Sequence, residues 1–297
     1  MIKLIKSISV LALLGISLLL GWYGYLQMQD GFLVSNIVPQ APFEAPVDCI
    51  CTTHFEEVQK ALQQPYTYST KGRQFYCFIS ADGKYMLKFL KCQRLELAFY
   101  HRIFVSHEKV QQKLAYRKDR VNRLISSCLI ASRDIPEETG VLYAHLKNTD
   151  NLKTSIGITD KLGFTHKVNL DRVPFILQYM GKPIVKELLG LFEEKKMDVL
   201  QNRALQVVDL FARRAKKGVF DIDQGFILRD NIGFLHDCAI HLDIGTFYHD
   251  KIEHSKERLK EEFEAISPLR DWLKENAKDA HLEVEIAIQK AIDEIGS

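Results

Sequence analysis

The sequence predicts an α+β protein: an N-terminal transmembrane helix followed by a globular part whose first half is rich in strands and whose second half is mainly helical. Three observations carry that reading. From Ser7 to Gln29 there is no charged residue. Between about residues 66 and 180, short aromatic and aliphatic runs are broken by Asp, Asn and Gly in the manner of strands. After Gly181-Lys182-Pro183 the apolar residues recur at helical spacing instead. Strands first and helices later is the segregated order of an α+β fold.

The anchor comes first. Ile8 to Leu20 is almost wholly aliphatic and is followed by Trp22, Tyr23 and Tyr25. At about 1.5 Å per residue, some 20 such residues cross a hydrocarbon layer of about 30 Å. A cleaved signal peptide is the rival reading, with Lys3 and Lys6 as its positive end; no small-x-small cleavage site follows, and the bulky aromatics suit a membrane interface. The lysines on one side, with Asp30, Glu44 and Asp48 on the other, place the N-terminus in the cytoplasm and the body outside it. The chain thus divides into a cytoplasmic tip and anchor (1–29, with 7–29 in the membrane), a Pro-containing linker (30–47), a β-rich portion (48–182) and a mainly helical portion (183–297). Three prolines between Val38 and Pro46 favour an extended spacer.

Gln74 to Ser80 and Tyr85 to Lys91 read as a hairpin around Asp82-Gly83. Leu114, Val121, Leu124, Ile125, Cys128 and Leu129 mark an amphipathic helix whose lysines and arginines form a solvated face. Strands starting at Val141, Thr154 and Pro174 extend the hairpin into an antiparallel sheet. Leu205, Val208, Phe211 and Ala212 stripe a helix that closes on basic residues and Gly218. Strand-like pieces at 226–228 and 239–242 precede a helical tail in which Ser267-Pro268 caps and opens a helix.

Composition excludes some functions. With 40 basic and 38 acidic residues the net charge is +2, so no global field draws the chain to nucleic acid. Six cysteines are too scattered for a zinc motif and too sparse for a disulfide scaffold; most read as small buried hydrophobes, and the close pair Cys49 and Cys51 suits partners elsewhere better than each other. His236 and His241, and His249 and His254, are five apart and do not share a helix face, so they read as loop or surface residues.

Three polar groups stand where bland residues would suffice: Lys88 inside YMLKFL, the segment Asp221–Asn231, and Asp243 before Gly245. Singly, Lys88 reads equally as a solvent-facing strand residue and Asp243 as an Asx turn. In order along the chain they resemble the protein-kinase-like fold. In that family a glycine loop covers the phosphates, a strand supplies a lysine, and a catalytic loop and an Asp-Phe-Gly segment supply the base and the metal-binding residues. Lys71-Gly72-Arg73-Gln74 looks like a reduced glycine loop, Lys88 like the strand lysine, Asn231 and Asp243 like the metal-binding pair, and PFILQYMGKP like the last strand of the small lobe with the hinge. The likeness runs over about residues 66–250.

The resemblance implies a two-lobed domain binding ATP with Mg²⁺ or Mn²⁺. Gly72 and Lys88 would lie at the nucleotide, Asn231 and Asp243 at the metal, and Asp223 would serve as catalytic base, with Asp221 the weaker alternative. The pattern departs in having one loop glycine, Ile244 in place of Phe, no His-Arg-Asp, and eight positions from Asp223 to Asn231 where the family has about five. Glu108, Glu137 and Glu138 are the glutamates available to pair with Lys88. Three expectations stay open: a membrane-anchored kinase-like phosphotransferase, a kinase-like binding or scaffold protein without turnover, and an unrelated tethered domain with no enzyme site.

Overall fold

The computed structural model describes residues 2–39, 49–51, 55–95, 108–223 and 231–295. Helix α1 (Ile2–Met28) is apolar and uncovered over most of its length, and its Leu11–Met28 stretch is long and apolar enough to cross a membrane. It ends at Asp30 and Gly31, both in the left-handed region (φ 55° and 74°), where the Gly31 N–H closes onto the Leu26 carbonyl at 2.7 Å.

The segment beyond α1 is no spacer. Phe32 and Ile37 are buried in the core, Phe32 edge-on to Tyr76 and Phe78. The Gln29 amide donates to Asp160 at 2.7 Å, and Asp30 pairs with Lys161 at 2.9 Å and Lys71 at 3.0 Å. Lys161, then Lys71 and the Tyr68 hydroxyl, hold the Asp30 carboxyl down at about 2. The linker expected over 30–47 therefore begins no earlier than residue 39, because an aromatic and an aliphatic side chain in 30–38 gain more from the core than from solvent. The rest of it, 40–47, lies outside the described residues.

The main sheet has eight strands: β1 (Cys49–Cys51), β2 (Tyr66–Lys71), β3 (Phe75–Ser80), β4 (Tyr85–Leu90), β5 (Val141–His145), β6 (Ser155–Thr159), β7 (Thr165–Asn169) and β8 (Phe175–Tyr179). Their order across the sheet is β1-β5-β8-β4-β3-β2-β6-β7. It is a mixed sheet rather than the antiparallel one expected, because β2 and β6 pair in parallel. Gly83 (φ 71°) makes the β3–β4 turn, as its Asp-Gly signal requires.

Successive strand residues face opposite sides, and both sides of the central strands are buried. Tyr76, Phe78, Leu87, Phe89, Phe175 and Leu177 form one core with helix α2 (Phe55–Leu62) and Phe32. Phe75, Cys77, Leu90 and Ile176 face the other way. They meet Leu124, Ile125 and Cys128 of a long helix, which comes after the short α3 (Cys92–Leu95) and is α4 (Glu108–Arg133). The short α5 (Pro136–Thr139) then leads into β5.

The second half comprises β9 (Lys182–Pro183), α6 (Ile184–Glu193), α7 (Met197–Lys216), β10 (Val219–Asp221), β11 (Ile232–Leu235), β12 (Cys238–His241), β13 (Phe247–His249), α8 (Ser255–Ala265), α9 (Ser267–Asn276) and α10 (Lys278–Glu294). Helices α6 to α10 bury a third core around Leu200, Phe211, Phe263 and Val284. Two small sheets, β12-β11-β9 and β10-β13, complete this half; in chain order β9 precedes α6, and β10 to β13 fall between α7 and α8. Val219, Ile244 and Phe247 from this half pack into the α4 core.

The structure corrects several expectations. Ser267 is the first helical residue of α9, not its cap. His241, expected in a loop or at the surface, is buried, stacked on Phe211 and edge-on to Phe247. Burial, then Arg214 and Arg213, pushes its imidazole pKa well below the usual value, so it is neutral. Cys77, Cys92 and Cys128 are buried thiols as expected, whereas Cys238 is exposed. The strand-like piece at 226–228 lies outside the described residues.

Candidate functional site

Lys88 is flanked in its strand by Leu87 and Phe89, which point into the sheet's first core. Period-two alternation turns Lys88 to the other face, beside its cross-strand partners Cys77 and Ile176. It is buried, and its ammonium donates to the Leu242 carbonyl. The reading of Lys88 as a solvent-facing strand residue therefore does not hold.

A cleft of about 450 Å³ opens over that face, a size ordinary for a small-molecule site. Its wall is built from the β2–β3 connection (Lys71, Gly72, Arg73, Gln74), from Lys88, from Gln178 to Gly181 at the end of β8, and from Asp223, Asn231, Leu242 and Asp243 on the far side. Gly72, Lys88, Asp223, Asn231 and Asp243, chosen from the sequence across 172 residues of chain (72 to 243), all line this one cleft.

The far side is held from within. The Leu242 N–H donates to the Asn231 carbonyl at 2.7 Å, and Gln178 donates to the His241 carbonyl at 2.8 Å. From α4, the Ser127 hydroxyl donates to the Ile244 carbonyl and accepts from the Phe247 N–H, both at 2.7 Å. The Asp243 carboxylate accepts the Gly245 N–H at 3.2 Å with Oδ1, the Asx geometry read from the sequence. Asn231 is 6% exposed, and its side-chain Nδ2 has no hydrogen-bond partner among the described residues. A buried amide of this kind is costly unless something enters the cleft to satisfy it.

Asp221 and Asp223 part company. Asp223 lines the cleft, while Asp221 is buried behind it, accepting the Asp223 N–H at 2.9 Å. Burial pushes the Asp221 carboxyl up, against the pull of the nearby Arg214. Asp221 shapes the turn that presents Asp223.

The β2–β3 connection is pinned at three points. Gln74 donates to the Gly245 carbonyl at 3.2 Å, and a Cβ on Gly245 would fall 2.0 Å from the Gln74 amide oxygen, so only glycine lets the two approach. The buried Lys91 donates to the Gly72 carbonyl at 2.6 Å from above the Tyr76 ring. Lys71 reaches Asp30 at the end of α1. Of these, Lys91 carried a sequence signal, a second lysine closing an apolar strand; the Gln74 contact had none.

None of the three candidate glutamates reaches Lys88. Glu108 is exposed beside Gln112, Glu137 is exposed on α5, and Glu138 is buried between Arg213 (3.2 Å) and Lys217 (2.9 Å). Among the described residues no carboxylate lies within ion-pairing distance of Lys88. From across the cleft wall, the charges of Lys88 and Asp243 bear on Cys128 of α4, whose thiol burial pushes up to about 12. Neither it nor Cys77, also raised by burial, is a nucleophile at neutral pH.

Hard oxygen donors, a carboxylate and an amide, suit a small divalent cation that takes its remaining ligands from a phosphate and water. Among the described residues no cluster of three His, Cys, Asp or Glu exists that would bind a metal unaided. No family model matches the chain, and no curated protein does either.

Proposed function

We propose that this protein is a membrane-anchored, protein-kinase-like phosphotransferase that uses ATP and a divalent metal. The observation that supports it is the convergence of Gly72, Lys88, Asp223, Asn231 and Asp243 in one cleft. In this reading the large sheet with α4 is one lobe, helices α6 to α10 are the other, and Tyr179 to Lys182 is the hinge. Lys88 would neutralise phosphate charge, exchanging its Leu242 carbonyl for a phosphate oxygen. Asn231 and Asp243 would hold Mg²⁺ or Mn²⁺, the Asn231 amide turning its oxygen to the ion. Asp223 would accept the proton of the acceptor hydroxyl. The metal would supply charge neutralisation, and catalysis would rest on positioning and electrostatics. Lys3 and Lys6 favour the domain on the extracytoplasmic side.

A second reading, nucleotide binding without turnover, is favoured by one observation: Lys88 is held by a main-chain carbonyl, with no glutamate among the described residues to aim it. The test is a thermal-shift titration of the full chain in lipid nanodiscs with ATP and Mg²⁺ or Mn²⁺, beside Lys88→Ala and Asp243→Asn. Ligand at about a hundredfold its Kd adds about 2.7 kcal/mol and several degrees of Tm. A metal-dependent shift that both substitutions abolish is expected, followed by release of phosphate or labelling of an acceptor. Binding without turnover selects the second reading; no shift at saturating ATP removes both.

A further inference from the structure

The connection between β6 and β7 has no part in the cleft, yet it is tightly braced. Asp160, 3% exposed, accepts the N–H groups of Leu162 and Phe164, each at 3.0 Å, and the ring of His166 at 2.7 Å. Gly163 takes φ 90°, and the Asp160 N–H donates to the Phe164 carbonyl at 2.9 Å. The result is a rigid turn with two apolar side chains at its tip, Leu162 and Phe164, the latter 58% exposed. Turn tips in water favour Gly, Asn, Asp and Ser, and a large aromatic held out on a braced turn loses contact with any core.

The turn sits against the end of α1. Asp160 accepts from Gln29, and Lys161 pairs with Asp30, the first two residues after the membrane-length stretch Leu11–Met28. Leu11 to Tyr23 are exposed, but Gly24, Tyr25 and Leu26 are half-buried, so the folded part reaches back beside the last turns of that stretch. The charged groups of the turn and the helix end are already paired: Asp30 with Lys71 and Lys161, and Asp160 with His166. Trp22 and Tyr23, exposed on the same end of the helix, are residues that favour the level of lipid headgroups.

We infer that the Asp160–Phe164 turn is a second membrane contact, with Leu162 and Phe164 inserted into the lipid interface beside the exit of α1. The occupant of this surface is lipid, and the ground for it is continuity: a turn bonded to the two residues that end a span lies at the depth where the bilayer ends. The contact fixes the tilt of the domain on the membrane, which a single helix cannot do.

The test replaces single residues of the full chain by the photo-crosslinking amino acid benzoylphenylalanine, in vesicles of phosphatidylcholine and phosphatidylglycerol. The positions are Phe164, Trp22 within the span, and Ile286, an exposed residue of α10. Lipid adducts at 164 and 22, with at least tenfold less at 286, are expected. Adducts at 22 but not 164 would overturn the inference, as would adducts at 164 to protein alone. Equal lipid labelling at 286 would overturn it as non-specific, and no lipid adduct at 22 would remove the membrane on which it rests.

Discussion

Two glycines near the cleft tolerate a methyl group differently. At Gly245 the added Cβ meets the far end of the Gln74 side chain, which can swing away, so Gly245→Ala loses one hydrogen bond and is expected to cost about 1 kcal/mol. At Gly233 the Cβ meets the Lys182 carbonyl at 2.7 Å and the Leu242 side chain at 2.8 Å, and a main-chain atom cannot swing. Gly233→Ala is expected to cost about 1–3 kcal/mol, measured by urea unfolding beside Gly245→Ala; equal costs would refute the distinction. Lys91 makes stability depend on pH. Burial, then Arg94 and Lys71, lowers its pKa to about 8. Below that both folded and unfolded chains carry the charge and its burial cost stands in full. Between about 8 and about 10.4 the folded lysine is neutral while the unfolded one remains protonated, so stability rises with pH by about 2 kcal/mol. Lys91→Met should flatten that rise relative to the wild type in unfolding experiments at about pH 7 and pH 10.

Among the elements, α7, α8 and β10 meet at Arg214 and Glu262, a fully buried pair at 2.6 Å, with the Asp221 N–H donating to the same carboxylate at 3.2 Å. Burial pushes the Glu262 carboxyl up and Arg214 pulls it back. Glu262→Gln leaves a buried guanidinium poorly compensated and is expected to cost about 3–5 kcal/mol, whereas Arg214→Met with Glu262→Leu is expected to cost far less; a double-mutant cycle measures the difference. The sequence announces α7 by its apolar stripe, and Arg214 hides inside that stripe, three residues after Phe211. β3, β4, β8 and α4 were legible for the same reason, an apolar period. β2 and β7 were not, because most of their side chains face solvent and read as polar loop. The parallel pairing of β2 with β6 joins segments about 90 residues apart, and no local pattern records it. Residues of the cleft wall were legible where a polar group interrupts an apolar run, as at Lys88 and Asp243; contacts such as Gln74 with Gly245 exist only after folding.

Across the whole molecule, the fold begins at the end of α1 rather than at the first strand. Removing residues 1–28 takes away a helix whose described side chains are exposed except for the half-buried Gly24, Tyr25 and Leu26, and should lower the unfolding free energy by no more than about 1–2 kcal/mol. Removing 1–38 also takes Phe32 and Ile37 from the core, each deletion of this kind costing several kcal/mol, so a loss of about 5 kcal/mol or more is expected. Comparing the two truncations in denaturant decides it, and similar stabilities would mean that residues 29–37 are a tether after all. The absence of slack between α1 and the sheet bears on how the protein meets other molecules. With the helix in a bilayer, a domain of this size reaches only about 40 Å above the surface. Its encounters are then collisions in a plane, set by lateral diffusion and surface density, so a target confined to the same membrane is met far more often than a dissolved one of equal abundance.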